Sequence, residues 1–293
     1  MEITSLITQY RKSLKNPYAE EVIDLVLYRP IAFLFVKITE FLPLTPNFVS
    51  LLAMVAGIAA GAALSRGTPR SFMAGGLIFA LSNILDCSDG MIARLKKNGA
   101  KTGRIVDGLV DYIASSAVYL GFGIGLAKAM QSGAIHLPCN PWLLIAAAVV
   151  STILHSIVSD NYRNAFLRRQ SASMGTEEDE RTIFANELTR LKALKGHMFD
   201  KVLIKIYLRY LDIQKGKSGD QSRPLSPALP ASTPVVSRWT VILWNLIGPS
   251  THITAIILAA MLFQPWILFI FVIGLANLWM IGLFLTQQGL KRI

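Results

Sequence analysis

Apolar residues in this chain are gathered into long runs with short polar breaks between them. The runs cover about residues 48–64, 72–85, 104–127, 142–158, 240–263 and 266–285. A helix needs about 20 residues to cross the hydrocarbon of a bilayer, and helices satisfy their own backbone hydrogen bonds there. The pattern predicts an all-α polytopic membrane protein with six transmembrane helices. Thr45-Pro46-Asn47 opens the first, with Thr45 as N-cap and Pro46 at the first helical position. Gly and Ala crowd that run, as they do where membrane helices pack closely. The second run is short, but its helix is expected to continue through polar residues to about Lys97, before a turn at Asn98-Gly99-Ala100-Lys101. The fourth helix is expected to continue past Arg163, and Pro249 marks a kink position in the fifth.

Two stretches depart from this rhythm. Before the first run, Val22, Ile23, Leu25, Val26, Ile31, Phe33 and Leu34 form a helical apolar stripe behind basic Arg11, Lys12 and Lys15. This predicts an interfacial amphipathic helix on the bilayer, broken near Pro30; the alternative is an amphipathic helix packed on protein. Residues 168–237 form a polar insertion. Thr176-Glu177-Glu178-Asp179 is an acidic helix start, and Phe184, Leu188 and Leu191, then Val202, Leu203, Ile206, Tyr207, Tyr210 and Leu211, predict two amphipathic helices broken near Gly196. Residues 218–237, rich in Pro and Ser, have the composition of a flexible linker. The insertion is assigned no catalytic role; it either caps the site, docks on lipid or is a solvated elaboration. The expected divisions are 1–44, interfacial; 45–167, spans one to four; 168–237, the insertion; and 238–293, spans five and six.

Composition agrees with a membrane protein: 53% of the 293 residues are hydrophobic and only 16% charged. The early residues lack the apolar region and cleavage site of a signal peptide, so no cleaved leader is expected. The net charge of +11 could point to nucleic acid. Its distribution points to a membrane surface instead. With six spans, all but Arg66, Arg70 and Lys128 of the 29 Lys and Arg fall on one side of the bilayer. Leaving out the long insertion does not change the asymmetry. The positive-inside rule then places both termini, and the 86–111 stretch described next, at the cytoplasmic face. Cys87 and Cys139 fall on opposite sides, so no disulfide joins them, and their spacing suits neither metal nor redox work.

The chemistry concentrates in residues 86–111. Asp86 and Asp89 are three apart, and Gly103, Asp107 and Asp111 are four apart, so each set lies along one helix face. Two such helices facing each other would gather four carboxylates at the membrane edge. Such a cluster is costly unless paired or bound to cations, and an all-oxygen site suits Mg²⁺ or Mn²⁺. An ion-transport path or a helix-pairing polar network would also account for the acids alone.

The whole pattern is D-x-x-D-G-x-x-A-R, eight residues, then G-x-x-x-D-x-x-x-D, running from Asp86 to Asp111. It resembles the signature of the CDP-alcohol phosphotransferase (CDP-alcohol phosphatidyltransferase) family, integral membrane enzymes of phospholipid synthesis. Every defined position is matched, and Thr45-Pro46-Asn47 before the first span also recurs in that family. The resemblance implies a transferase of substituted phosphate groups that uses a CDP-alcohol, here expected to be CDP-diacylglycerol, and an alcohol acceptor, and releases CMP. The other arrangement, CDP-choline or CDP-ethanolamine with diacylglycerol, carries the same motif, and a divalent-cation transporter is the reading from another class. By resemblance, Asp86, Asp89, Asp107 and Asp111 hold two divalent ions, and Asp111 is also the general base. Gly90, Ala93, Arg94 and Gly103 would bind CDP, with Asn47, Lys101 and Thr102 near enough to help. A homodimer is likewise implied by resemblance alone. His155, Ser159, Asp160 and Arg163, about a turn apart at the cytoplasmic end of the fourth span, are an acceptor-pocket candidate; the alternative is an Asp160–Arg163 pair and a packed His155. His252 is expected to be a helix-packing histidine.

Overall fold

Residues 3–16, 19–96, 103–172, 180–192, 201–202, 204–209 and 237–290 are described by the computed structural model. They form helices, with no strand among the described residues. Six helical stretches are long and apolar enough to cross a membrane: Pro46–Leu64, Pro69–Lys96, Asp107–Gln131, Pro141–Leu167, Arg238–Met261 and Pro265–Gln287. They are the six spans the hydrophobic runs predict. The Thr45 side chain caps the first, accepting from the Phe48 amide at 3.3 Å.

The first span packs against the second and third, and two glycines set how closely it approaches the third. A Cβ on Gly121 would collide with the Gly61 carbonyl, and one on Gly61 with the Ala117 carbonyl. Only hydrogen at these positions lets the backbones approach so far. Beside these glycines the bundle is closed by Phe72, whose ring meets Phe122 and Phe263 edge to face at 5.2 Å each. The acidic ends of spans two and three are thereby held beside the start of span one.

Proline acts differently here from its sequence expectation. No break occurs at Pro30. A π turn, Asp24–Tyr28, runs directly into the helix Arg29–Ile38, with Pro30 in its first turn. The widened turn accommodates a residue that lacks an amide and crowds the preceding carbonyls. Tyr28, Ala32 and Val36 are buried against the core, while Val26, Leu27, Ile31, Leu34 and Ile38 are exposed. The segment is thus packed on protein along one stripe and apolar on its free side as well. The fifth span is interrupted outright: Arg238–Asn245 ends, Gly248 turns extended, and Pro249–Met261 begins anew.

In the insertion, Glu180–Lys192 is helical, as are residues 204–209. Phe184, Leu191 and Ile204 are buried together, with Leu188, Tyr207 and Leu208 against them. Val202 and Ile206 face outward. Residues 176–179, Gly196, Leu203, Tyr210, Leu211 and residues 218–236 of the Pro/Ser-rich stretch lie outside the described residues.

Candidate active site

The second span carries its acids at the end of a continuous helix, Pro69–Lys96, and the third carries its own in the first turns of Gly103–Gln131. The packing brings them together. Carboxylate oxygens of Asp86, Asp89 and Asp107 lie within 4.8 Å of one another. The Asp111 side chain is in hydrogen-bond contact with Asp86. Asp89 is buried, Asp86 and Asp107 are half-buried, and Asp111 is exposed. The buried one is anchored: the Ser50 hydroxyl of span one reaches Asp89 Oδ2, and lies 3.1 Å from the Pro46 carbonyl.

One oxygen of this group, Asp86 Oδ1, is buried without a hydrogen-bond partner. A buried carboxylate oxygen left open is what a cation would satisfy. Oxygens on one Mg²⁺ at about 2.1 Å can be no more than about 4.2 Å apart. The observed cluster needs only a small contraction to meet that limit, so these residues fit a hard divalent ion. Beside them is a cavity of about 20 Å³ lined by Ser82, Asn83, Asp86 and Asp111 among others, and Asn83 Nδ2 is buried there without a partner.

The remaining motif positions surround the acids. At Gly90 an added Cβ would come 3.3 Å from an Arg94 guanidinium nitrogen, so the glycine leaves room for that side chain. Arg94 Nε donates to the Ser13 carbonyl, and its Nη2 is buried and unpartnered. Ala93 is half-buried on the same helix, Gly103 begins the third helix, and Asn47 is exposed on the first turn of span one. Lys101 and Thr102 lie outside the described residues.

The acceptor-pocket candidates divide. His155 is fully buried, with both ring nitrogens engaged by spans five and six: Nδ1 lies 3.2 Å from His252 Nε2, and Nε2 lies 3.2 Å from Asn277 Oδ1. Asn277 Nδ2 donates to Ser151 Oγ at 2.9 Å, so Oδ1 is its acceptor. His155 therefore carries its proton on Nε2, and Nδ1 accepts. His252 must then donate from Nε2, which also faces the Ile247 carbonyl at 3.1 Å. His155 and the Nε2 of His252 hold spans four, five and six together, while His252 Nδ1 is buried without a partner. Ser159 Oγ donates to Asn245 Oδ1 at 3.1 Å, and Asn245 Nδ2 donates to the Ala19 and Glu20 carbonyls at 3.2 and 3.3 Å. Asp160 pairs with Arg163.

Sequence reasoning missed Ser50 and Asn83. Each had a signal: Ser50 is three residues after Asn47, and Asn83 three before Asp86, polar positions on faces already marked. It also missed Glu20, Glu21 and Arg29, which gave no local signal.

The family model for CDP-alcohol phosphatidyltransferase matches residues 43–180, a range that contains the four aspartates, Ser50 and Asn83. No curated protein matches the chain.

Proposed function

We propose, for a chain that belongs over residues 43–180 to the CDP-alcohol phosphatidyltransferase family, that it moves the phosphatidyl group of CDP-diacylglycerol onto a polar alcohol and releases CMP. The family makes it a phosphotransferase of lipid synthesis; the donor and acceptor are our reading. The observation that carries it is the convergence of the Asp86, Asp89 and Asp107 carboxylates around an open buried oxygen. That is a phosphate-binding arrangement only when cations stand between acid and pyrophosphate.

Asp86, Asp89 and Asp107 are the residues that would hold Mg²⁺ or Mn²⁺, with Asp111 contributing. Divalent ions held there would neutralise the pyrophosphate and the departing CMP. Ser50 keeps Asp89 turned toward the cluster. Asp111 is the most exposed of the four, so an acceptor hydroxyl can reach it. Its carboxylate takes the hydroxyl proton as the oxygen attacks the phosphorus bearing the lipid alcohol. The new phosphorus–oxygen bond forms as the bond to the CMP phosphate breaks, and the proton ends on Asp111. Gly90, Ala93 and Gly103 leave the nucleotide space beside the helices, and the open Nη2 of Arg94 is a donor for its phosphates. The basic asymmetry supports placing the site and both termini on the cytoplasmic side, where a water-soluble acceptor would be found.

The test is CMP release by purified protein in liposomes with Mg²⁺ or Mn²⁺, CDP-diacylglycerol and a panel of alcohols. Acceptor-dependent CMP is expected, with Asp111→Asn lowering the rate at least about 100-fold. No CMP with this donor but turnover of CDP-choline or CDP-ethanolamine with diacylglycerol would reverse the substrate arrangement. Metal flux without any nucleotide product would make the acids an ion path and overturn the enzyme.

A further inference from the structure

We propose that Arg29, outside the residues matched by the family, is a positioning residue that sets the rotation of the metal-binding helix. This rests on the reading of Asp86 and Asp89 as metal ligands. Arg29 begins the helix Arg29–Ile38. Its Nε donates to Glu20 Oε2 at 3.0 Å, with side chains only 15% and 7% exposed. Its Nη1 donates to the Cys87 carbonyl at 3.1 Å. Cys87 sits between the first two motif acids, within a continuous helix. Its carbonyl can already accept from the amide four residues on, so the guanidinium takes the second lone pair. The bond is not needed to complete the helix. What it does is fix the helix from outside.

The fixed side is the flank. At about 100° per residue, Asp86, Asp89, Gly90 and Ala93 share one face of the helix, Ser88 and Met91 lie on the back face, and Cys87 and Arg94 lie on the flank between the two. Ser88 and Met91 are fully buried on that back face, and Ser88 Oγ comes 3.5 Å from the Ala32 carbonyl. Arg94 Nε donates to the Ser13 carbonyl. The N-terminal segment thus holds the helix at residues 87 and 94, on the flank beside the acids. It is itself held elsewhere. Glu21 Oε2 accepts from the Ser250 and Thr251 amides at 3.0 and 3.3 Å. Asn245 Nδ2 donates to the Ala19 and Glu20 carbonyls, and Tyr28 Oη bonds Thr254 Oγ1 at 2.9 Å. Span five therefore fixes Glu20, Glu20 fixes Arg29, and Arg29 fixes the helix that aims Asp86 and Asp89.

Charge alone would act in the opposite direction, because Asp86 lies in the field of Arg29 and losing a nearby cation would tighten metal binding. Arg29→Lys keeps the charge but replaces the planar fork with a single ammonium, so it isolates positioning. Glu20→Ala keeps the cation and removes its anchor. The experiment titrates Mn²⁺ binding by electron paramagnetic resonance on the folded, monodisperse full-length protein, alongside thermal melting and the metal dependence of CMP release. Both variants are expected to bind Mn²⁺ about tenfold more weakly. Turnover at saturating metal should stay within about threefold of wild type, since a positioning group acts through the metal site rather than on substrate. Wild-type Mn²⁺ affinity in both variants overturns the proposal, however far their melting temperatures fall. So does failure of both to fold, which would make the pair a stability element. If wild type itself binds no Mn²⁺, the metal site fails and this inference with it. If wild type binds and the variants match it, this inference fails alone.

Discussion

Glu21 is 2% exposed and comes from a segment that the sequence marked only as an amphipathic stripe. Its carboxyl closes the amino end of Pro249–Met261, where Ser250 and Thr251 offer amides that no helical carbonyl reaches. Burial first, and then neighbouring Asp24, push its pKa from 4.5 up to about 8, against the opposing pull of Arg163 and the two amides. The folded protein then holds a proton that the unfolded chain has released, so this contribution is full below about pH 4.5 and is lost as pH rises through about 8. The expected outcome is a wild-type melting temperature that falls between about pH 5 and 8.5. Glu21→Gln, which keeps an oxygen for the amides and has nothing to titrate, should flatten that fall. A parallel decline in both proteins would show that Glu21 is not its source. At this scale the sequence was legible where partners are near each other in the chain. Asp86 and Asp89 share a turn and could be paired by spacing; Glu21 and Ser250 are brought together only by the fold.

The six spans were legible because apolar length is a local property, and so was the Thr45 cap. The behaviour of the prolines was legible only in part. Pro249 became the first residue of a new helix because Gly248 precedes it and Glu21 reaches it from far away in the chain. Pro30 failed to break its helix because a π turn precedes it. How closely two spans approach was not legible either, since many glycines look alike in sequence. The structure separates them. Gly121 faces the Gly61 backbone, whereas Gly274 has nothing within 4 Å of an added Cβ. Gly121→Leu should destabilise the protein by about 1–3 kcal/mol and move the third span, with Asp107 and Asp111, away from the first. Gly274→Leu should melt like wild type. Thermal melts in detergent, with CMP release measured beside them, would check both; equal behaviour of the two variants would remove the close approach as the element that assembles the acids.

For the whole molecule, the decisive asymmetry is which side of the membrane the acids face. Lys and Arg predict it through their distribution, a property of the entire chain. The two native cysteines make this testable without introducing another. Cys87 is buried next to Asp86, and Cys139 is exposed in the loop between spans three and four, on the face with few basic residues. In sealed vesicles with the native outer face outward, an impermeant maleimide should therefore modify Cys139, and Cys139→Ser should abolish the labelling. Detergent should add little further signal, since burial protects Cys87. The opposite pattern, with labelling only after the membrane is opened, would invert the topology. It would place the aspartates on the far side from soluble nucleotide and contradict the proposed chemistry along with the orientation. The orientation and the reaction therefore stand on one geometry: a phosphotransferase fed from the cytoplasm must present Asp111 there, and Cys139 must then face away.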